Sequence, residues 1–278
     1  MKTGIFEVKT INAGFLAMDC GGIFGVVPRA IWQKKVNPDE HNRLKMATHC
    51  LLLISENRKI LVDTGVGNGV GEKLRIIFNI EDDTSLERAL AEAMISPEDI
   101  TDVIVTHLHF DHAGGLINHR SQLPFFPNAQ YYTSEEQFQW ANNPTLIDRA
   151  SFTKRNFLPL YEKGKLQLLK AGEQPLDGIR FYYSRGHTPG LLTLEIEDQQ
   201  QPLFYCADLF PTAFHIPLHY ISAYDLYPVD LLREKAFFLK KIWEKGGLLI
   251  FPHDTNIVAA SVEKINNDYQ INKTFNRI

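Results

Sequence analysis

Thr106-His107-Leu108-His109-Phe110-Asp111-His112 follows directly on the apolar segment Val103-Ile104-Val105. It offers four side chains able to bind a metal: His107, His109, Asp111 and His112. If the chain is still extended here, alternation puts His107 and His109 on one side, and a turn at Asp111-His112 brings the other two round to them. Ala113-Gly114-Gly115 comes next, where the backbone can approach another segment that a bulky side chain would hold off. A lone histidine is ordinarily a satisfied surface or core residue. Three histidines and an aspartate at this spacing reverse that expectation and point to a metal site.

Working outward, further polar residues stand at the ends of later apolar segments, the places where loops carry chemistry on a rigid scaffold. Arg185-Gly186-His187-Thr188-Pro189-Gly190 follows segment 179–183, Ala207-Asp208 follows 202–206, and Pro252-His253-Asp254 follows 248–251. His187, Asp208 and His253 complete a set of seven candidate ligands, enough for two divalent ions that share one carboxylate.

The rest of the chain reads as framework for that site. Segments 50–54, 59–62, 102–106, 130–133, 165–169, 179–183, 191–196, 202–206 and 248–251 have the length and composition of strands. Helices are expected around Leu86, Leu90 and Met94, over 228–245 and over 256–269, with a short helix start at Ser96-Pro97-Glu98-Asp99. Many strands with few helices predict two packed sheets with helices on their outer faces, because a sheet with two apolar faces must cover both. Segments 21–46, 65–80 and 135–163 read as long loops, and loops of that length are usually functional. Phe24, Trp32, Phe138 and Trp140 make the first and third candidate walls over a pocket, or else pack onto the sheets.

Of 278 residues, 44% are hydrophobic and 22% charged, which excludes disorder and fibrous repeats. The net charge of −4 supplies no field for a nucleic-acid backbone or an anionic membrane. Apolar runs are strand-sized, and the first fifteen residues alternate polar and apolar without an export signal, so a cytoplasmic protein is expected. Cys20, Cys50 and Cys206, odd in number and far apart, are expected to be reduced and structural.

The motif at His107–His112, followed by His187, Asp208 and His253 and preceded by Ile60-Leu61-Val62-Asp63-Thr64-Gly65, resembles the metallo-β-lactamase superfamily over nearly the whole chain. The resemblance implies an α+β fold, an αββα sandwich of two mixed β-sheets flanked by helices, forming a single domain over residues 1–278. It also implies that His107, His109 and His187 hold one metal, that Asp111, His112 and His253 hold the other, and that Asp208 bridges them. Asp63 would orient a ligand histidine from behind through its other ring nitrogen. Two divalent ions are expected, Zn²⁺ first, with Fe, Mn or Co also suited to imidazole and carboxylate.

Such a pair of ions lowers the pKa of a shared water and yields a bridging hydroxide, and its excess positive charge favours a transition state that gains negative charge. Asp111 and Asp208 are therefore the catalytic candidates, Asp111 being placed to handle a proton as the leaving group departs. Asp208-Leu209-Phe210-Pro211-Thr212-Ala213-Phe214-His215, followed by Ala223-Tyr224-Asp225-Leu226-Tyr227-Pro228, resembles quorum-quenching lactonases and their organophosphate-hydrolysing relatives. In the best-known lactonases a tyrosine stands where this chain has Pro211, and Tyr224 or His215 are the candidates to replace it. Phe110, Phe210 and Phe214 are expected to line an apolar pocket. The expected function is hydrolysis of lactones or carboxylic esters, acyl-homoserine lactones among them. The alternatives are a phosphotriesterase or arylesterase, a glyoxalase-II-like thioesterase, and a mononuclear iron dioxygenase. The expected partner is a small-molecule substrate, with no nucleic acid and no membrane; a homodimer is allowed.

Overall fold

The computed structural model describes residues 1–81 and 85–278. In chain order the strands are β1 (Lys2–Thr3), β2 (Phe6–Asp19), β3 (Arg43–Ile54), β4 (Lys59–Val62), β5 (Asp102–Ile104), β6 (Ile117–Asn118), β7 (Leu123–Pro124), β8 (Gln130–Ser134) and β9 (Leu166–Leu169). They continue with β10 (Ile179–Ser184), β11 (Leu191–Ile196), β12 (Leu203–Tyr205), β13 (Leu248–Ile250), β14 (Ala259–Ile265) and β15 (Asp268–Phe275). One sheet runs β1-β2-β3-β4-β5-β8-β9, the other β10 to β15 in sequence order, and β6 pairs with β7. Both large sheets are mixed. β4, β5, β8 and β9 run parallel, as do β12 and β13, while the other neighbours are antiparallel.

Strand alternation explains the layers. In β3, Leu51 and Leu53 point into the core between the sheets and Leu52 points out; in β4, Ile60 and Val62 point in and Leu61 out. The outward set packs beneath Leu86 and Leu90 of helix Ser85–Glu92, Phe138 of helix Glu135–Asn142 and Leu160 of helix Leu158–Glu162. On the second sheet, helix Pro228–Glu244 contributes Leu231, Phe238, Leu239 and Ile242 to the core. This is the expected αββα sandwich, and its parallel strands are near-continuous apolar runs because both faces are covered.

Several expectations change. Segment 256–269 is not a helix but most of the β14–β15 hairpin, turned at Asn266 with φ +55°. β13 has an edge to cover, and β14 pairs along it from Leu248–Ser261 to Ile250–Ala259, which outweighs an ambiguous apolar spacing. Met94 lies beyond the end of helix Ser85–Glu92 and is exposed. The three long loops carry short helices, including Cys20–Phe24, Glu72–Ile77 and Glu135–Asn142. Their rings pack: Phe24 stacks on Trp32 with centroids 5.2 Å apart, Phe138 meets Tyr161 at 4.5 Å, and the Trp140 indole donates to Asp148. Cys20, Cys50 and Cys206 are buried and unpaired. Among the described residues no helix is long and apolar enough to cross a membrane.

Candidate metal centre

The polar residues singled out in the sequence meet at one end of the sandwich, where the strands stop. β4 leads into Asp63, β5 into His107–His112, β10 into His187, β12 into Asp208 and β13 into His253. Asp63 (φ +60°) and Ala207 (φ +46°) both hold left-handed backbone, uncommon for a residue with a Cβ and found here at the two strand ends that turn into the site. The Gly114 position shows why the residue after the motif must be small. A Cβ there would lie 1.8 Å from the Val66 carbonyl oxygen, and Gly114 N–H donates to the Gly65 carbonyl at 2.9 Å.

The imidazoles are braced from behind. His112 Nδ1 lies 2.9 Å from Asp63 Oδ2, His187 Nδ1 2.7 Å from Asp225 Oδ1 and His253 Nδ1 2.8 Å from the Ala47 carbonyl. Carboxylates and carbonyls only accept, so each of these Nδ1 atoms carries a hydrogen and, in the neutral ring a metal ligand must have, each Nε2 presents a lone pair. The lone pairs converge. His112 Nε2 and His253 Nε2 are 3.1 Å apart, and each lies close to Asp208 Oδ1, at 3.2 and 3.1 Å. His187 Nε2 is 3.1 Å from His109 Nδ1 and 3.5 Å from Asp208 Oδ2. Asp111 Oδ2 stands 3.9 Å from His112 Nε2 and 3.8 Å from His253 Nε2. His107 Nε2 and His109 Nε2 are buried with no hydrogen-bond partner.

Ligand atoms within reach of a common ion form three overlapping groups: His107, His109 and His187; His107, His112 and Asp208; Asp111, His112 and His253. Ring nitrogens 3.1 Å apart need a proton or a metal ion between them, and the buried orphan Nε2 atoms of His107 and His109 need a partner. The donor set therefore fits divalent metal. Electrostatics agree. Burial and the neighbouring imidazoles hold His107 and His109 well below the usual histidine range, which keeps them neutral as ligands must be. Burial also acts against charge on His112, but Asp208, Asp111 and Asp63 outweigh it and hold its ring well above that range. The same negative field favours any cation placed there.

Asp63 does more than face His112. It also accepts from Thr106 N–H at 2.8 Å, from the Thr106 hydroxyl and from the Tyr205 hydroxyl at 3.0 Å, the last reaching across from the second sheet. Asp225, Glu234 and Tyr205 were not singled out in the sequence, although Asp225 stands in the quoted Tyr224-Asp225 pair. Glu234, on helix Pro228–Glu244, accepts from Arg185 N–H at 2.8 Å and Gly186 N–H at 3.0 Å and so holds the loop that carries His187.

Above these groups lies a cavity of about 60 Å³. His109, Asp111, His187, Asp208 and His253 form its polar floor, with Tyr224 on the wall. Met18, Ile23, Met46, Phe78, Phe110 and Pro211 make the apolar walls. Of the residues expected to line a pocket, Phe110 and Tyr224 line this cavity, whereas Phe210, Phe214 and His215 do not. Phe210 is fully buried in the inter-sheet core. Phe214 packs edge-on to Phe24 at 4.7 Å and faces other cavities. His215 is buried, with Nδ1 on the Thr212 hydroxyl and Nε2 donating to the Ile23 carbonyl, so it ties two walls together instead of facing substrate. Chain direction explains the difference: residues 207–209 and 213–215 form tight turns that rotate these side chains away from the floor.

The sequence profile of the metallo-β-lactamase superfamily matches residues 45–253, a span that begins in β3 and ends at His253. The chain belongs to the metallo-β-lactamase superfamily. Among its superfamily relatives, an N-acyl homoserine lactonase of Bacillus cereus is 26% identical over 178 residues, 58% of this chain and 63% of the relative. An N-acyl homoserine lactonase of Bacillus thuringiensis is 26% identical over 167 residues, covering 56% and 61%. The matched region thus spans less than two thirds of these relatives' length. A probable metal-dependent hydrolase from Staphylococcus aureus superposes with a TM-score of 0.85 at 30% identity, over 99% of this chain and 100% of that one. AidC, a dizinc quorum-quenching lactonase in complex with a homoserine product, superposes at 0.78 with 20% identity over 98% and 95%, a likeness of fold.

Proposed function

We propose that the protein is a dinuclear metal-dependent hydrolase of neutral lactones or carboxylic esters, with acyl-homoserine lactones as the leading substrate class. The observation that carries this reading is the convergence of two imidazole-lined ligand groups on opposite oxygens of one carboxylate, Asp208, beneath an apolar cavity. His107, His109 and His187 hold one ion; Asp111, His112 and His253 hold the other; Asp208 serves both. Two such ions supply Lewis acidity for a carbonyl oxygen and a supply of hydroxide near neutral pH. The remaining steps belong to side chains. Asp111, on the cavity floor, would take up the proton shed by the attacking water-derived oxygen and pass it to the departing alkoxide. The Tyr224 phenol donates a hydrogen bond to the substrate carbonyl, the part left open by Pro211. Asp63 and Asp225 fix the tautomers of His112 and His187.

The substrate class follows from the walls. No lysine or arginine lines the cavity, so an anionic phosphate ester or the carboxylates of glutathione would meet no counter-charge, while neutral apolar groups meet methionine and phenylalanine. The relationship to the Bacillus lactonases and the Staphylococcus aureus hydrolase supports ester-bond hydrolysis. The deciding experiment compares an acyl-homoserine-lactone series, aryl esters, a neutral phosphotriester and a glutathione thioester on one metal-loaded preparation. Lactones and aryl esters are expected to lead. A thioester preference moves the protein to the glyoxalase-II class, and a triester preference to the phosphotriesterases.

A further inference from the structure

The catalytic cavity is small for the substrates it is meant to take. Its volume of about 60 Å³ falls well below the ~300–1,000 Å³ of sites that enclose a drug-sized ligand, leaving room for a reacting ester group and little beyond. A second pocket, a solvent-open groove of about 560 Å³, adjoins it. Phe24, Leu44, Phe214 and Ile257 give it apolar surface, and Lys35 and Asn256 are among its polar lining. Among the described residues Met46 and His253 are the two that line both.

His253 is not free to move. Its Nδ1 donates to the Ala47 carbonyl at 2.8 Å, and Ala47 N–H donates back to the His253 carbonyl at 3.1 Å. That reciprocal pair also fixes the backbone beside Met46, which pairs across to Leu16 in β2. The Met46 side chain is therefore the movable part of the partition. It is unbranched, has three rotatable bonds and is 2% exposed.

We infer that Met46 is the residue that sets how long an apolar group the substrate can carry: it closes the catalytic cavity off from the larger one, and shortening it joins the two. This inference rests on the proposed hydrolysis of neutral esters or lactones. With Met46 in place, catalytic efficiency rises over the first few acyl carbons and then levels off. With the partition shortened, each further methylene that enters the second pocket is worth up to roughly fourfold in kcat/KM.

The test uses metal-loaded wild type, Met46→Ala, Met46→Val and Met46→Leu with p-nitrophenyl esters from acetate to decanoate. Met46→Val guards against loss of folding in the alanine variant, and Met46→Leu conserves volume. The decanoate-to-butanoate ratio of kcat/KM should rise at least tenfold in Met46→Val and Met46→Ala and stay within about twofold of wild type in Met46→Leu. A second readout needs no turnover: decanoate should raise the Tm of metal-loaded Met46→Val more than that of wild type, and butanoate should protect both alike. Equal ratios and equal protection in wild type and Met46→Val overturn the inference, as does a wild-type profile that keeps rising to decanoate. If no ester or lactone is hydrolysed by wild type, the proposed function fails, and the decanoate protection still decides whether Met46 is the partition.

Discussion

The two sheets contribute to the candidate metal centre in different ways. The first delivers His107, His109, Asp111 and His112 from one loop after β5, so their relative positions are set largely by local backbone. The second delivers His187, Asp208 and His253 singly, each from a different strand end, with distant partners bracing the two histidines. His187 leans on Asp225 and its loop on Glu234; His253 leans on Ala47; Asp208 follows a residue in left-handed backbone. A contiguous motif carries its own geometry, whereas dispersed ligands need bracing that sequence order does not reveal.

The strongest way to break that contrast is to remove the group both ligand sets share. Asp208→Ala should cost at least about a thousandfold in kcat/KM, and the second equivalent of metal should be lost first, read by metal analysis after reconstitution. Two ions retained at unchanged activity would refute the shared role.

Next come the two carboxylates behind the histidines. Asp63→Asn and Asp225→Asn should each weaken metal binding by roughly 10–100-fold, measured by competition with a chelating dye. They should differ in Tm. Asp63 also ties Thr106 and, across the sheets, Tyr205, so its amide variant should be clearly less stable without metal. Asp225, which among the described residues otherwise accepts only from Ser222 N–H, should lose affinity with little change in Tm. Identical stability losses would erase the distinction between the two halves.

His215 gives a pH test of the dispersed half. Burial, the first cause, pushes its pKa down to about 4. The unfolded chain therefore binds a proton below about pH 6.5 that the folded chain refuses. Stability from this residue is complete above pH 6.5, falls by up to about 1.4 kcal/mol per pH unit on acidification, and stops falling below about pH 4. A His215→Gln variant should show a shallower acid limb than wild type in denaturant titrations at pH 6.5, 5.5 and 4.5. Parallel limbs would remove His215 from the account. The smallest effect is expected from Glu234→Gln, at about 1 kcal/mol of stability with a fewfold loss of kcat/KM, because one carboxylate oxygen facing a backbone N–H is exchanged for an amide.

This contrast also explains what could be read without coordinates. The His107–His112 motif, the strand ends at His187, Asp208 and His253 and the sandwich of sheets follow from apolar runs that stop at polar residues, a pattern written in one dimension. The β14–β15 hairpin does not, because its strand state depends on the open edge of β13. Nor does the orientation of Phe210, Phe214 and His215, which turns on two tight bends after β12. Asp225 is beside His187 only because the segment Ser222–Tyr227 folds back, with Leu226 N–H donating to the His187 carbonyl and Tyr227 N–H to the Gly186 carbonyl.

The contact of His112 with His253 joins residues 141 positions apart. During synthesis and refolding, pairs so remote in the chain form late, because a long loop must be closed before any contact compensates for it. On the proposed reading, metal capture should therefore report on the docking of the two sheets. In stopped-flow refolding with a fluorescent zinc indicator, uptake should follow the slowest protein phase, and chelator added before that phase should find the metal still free.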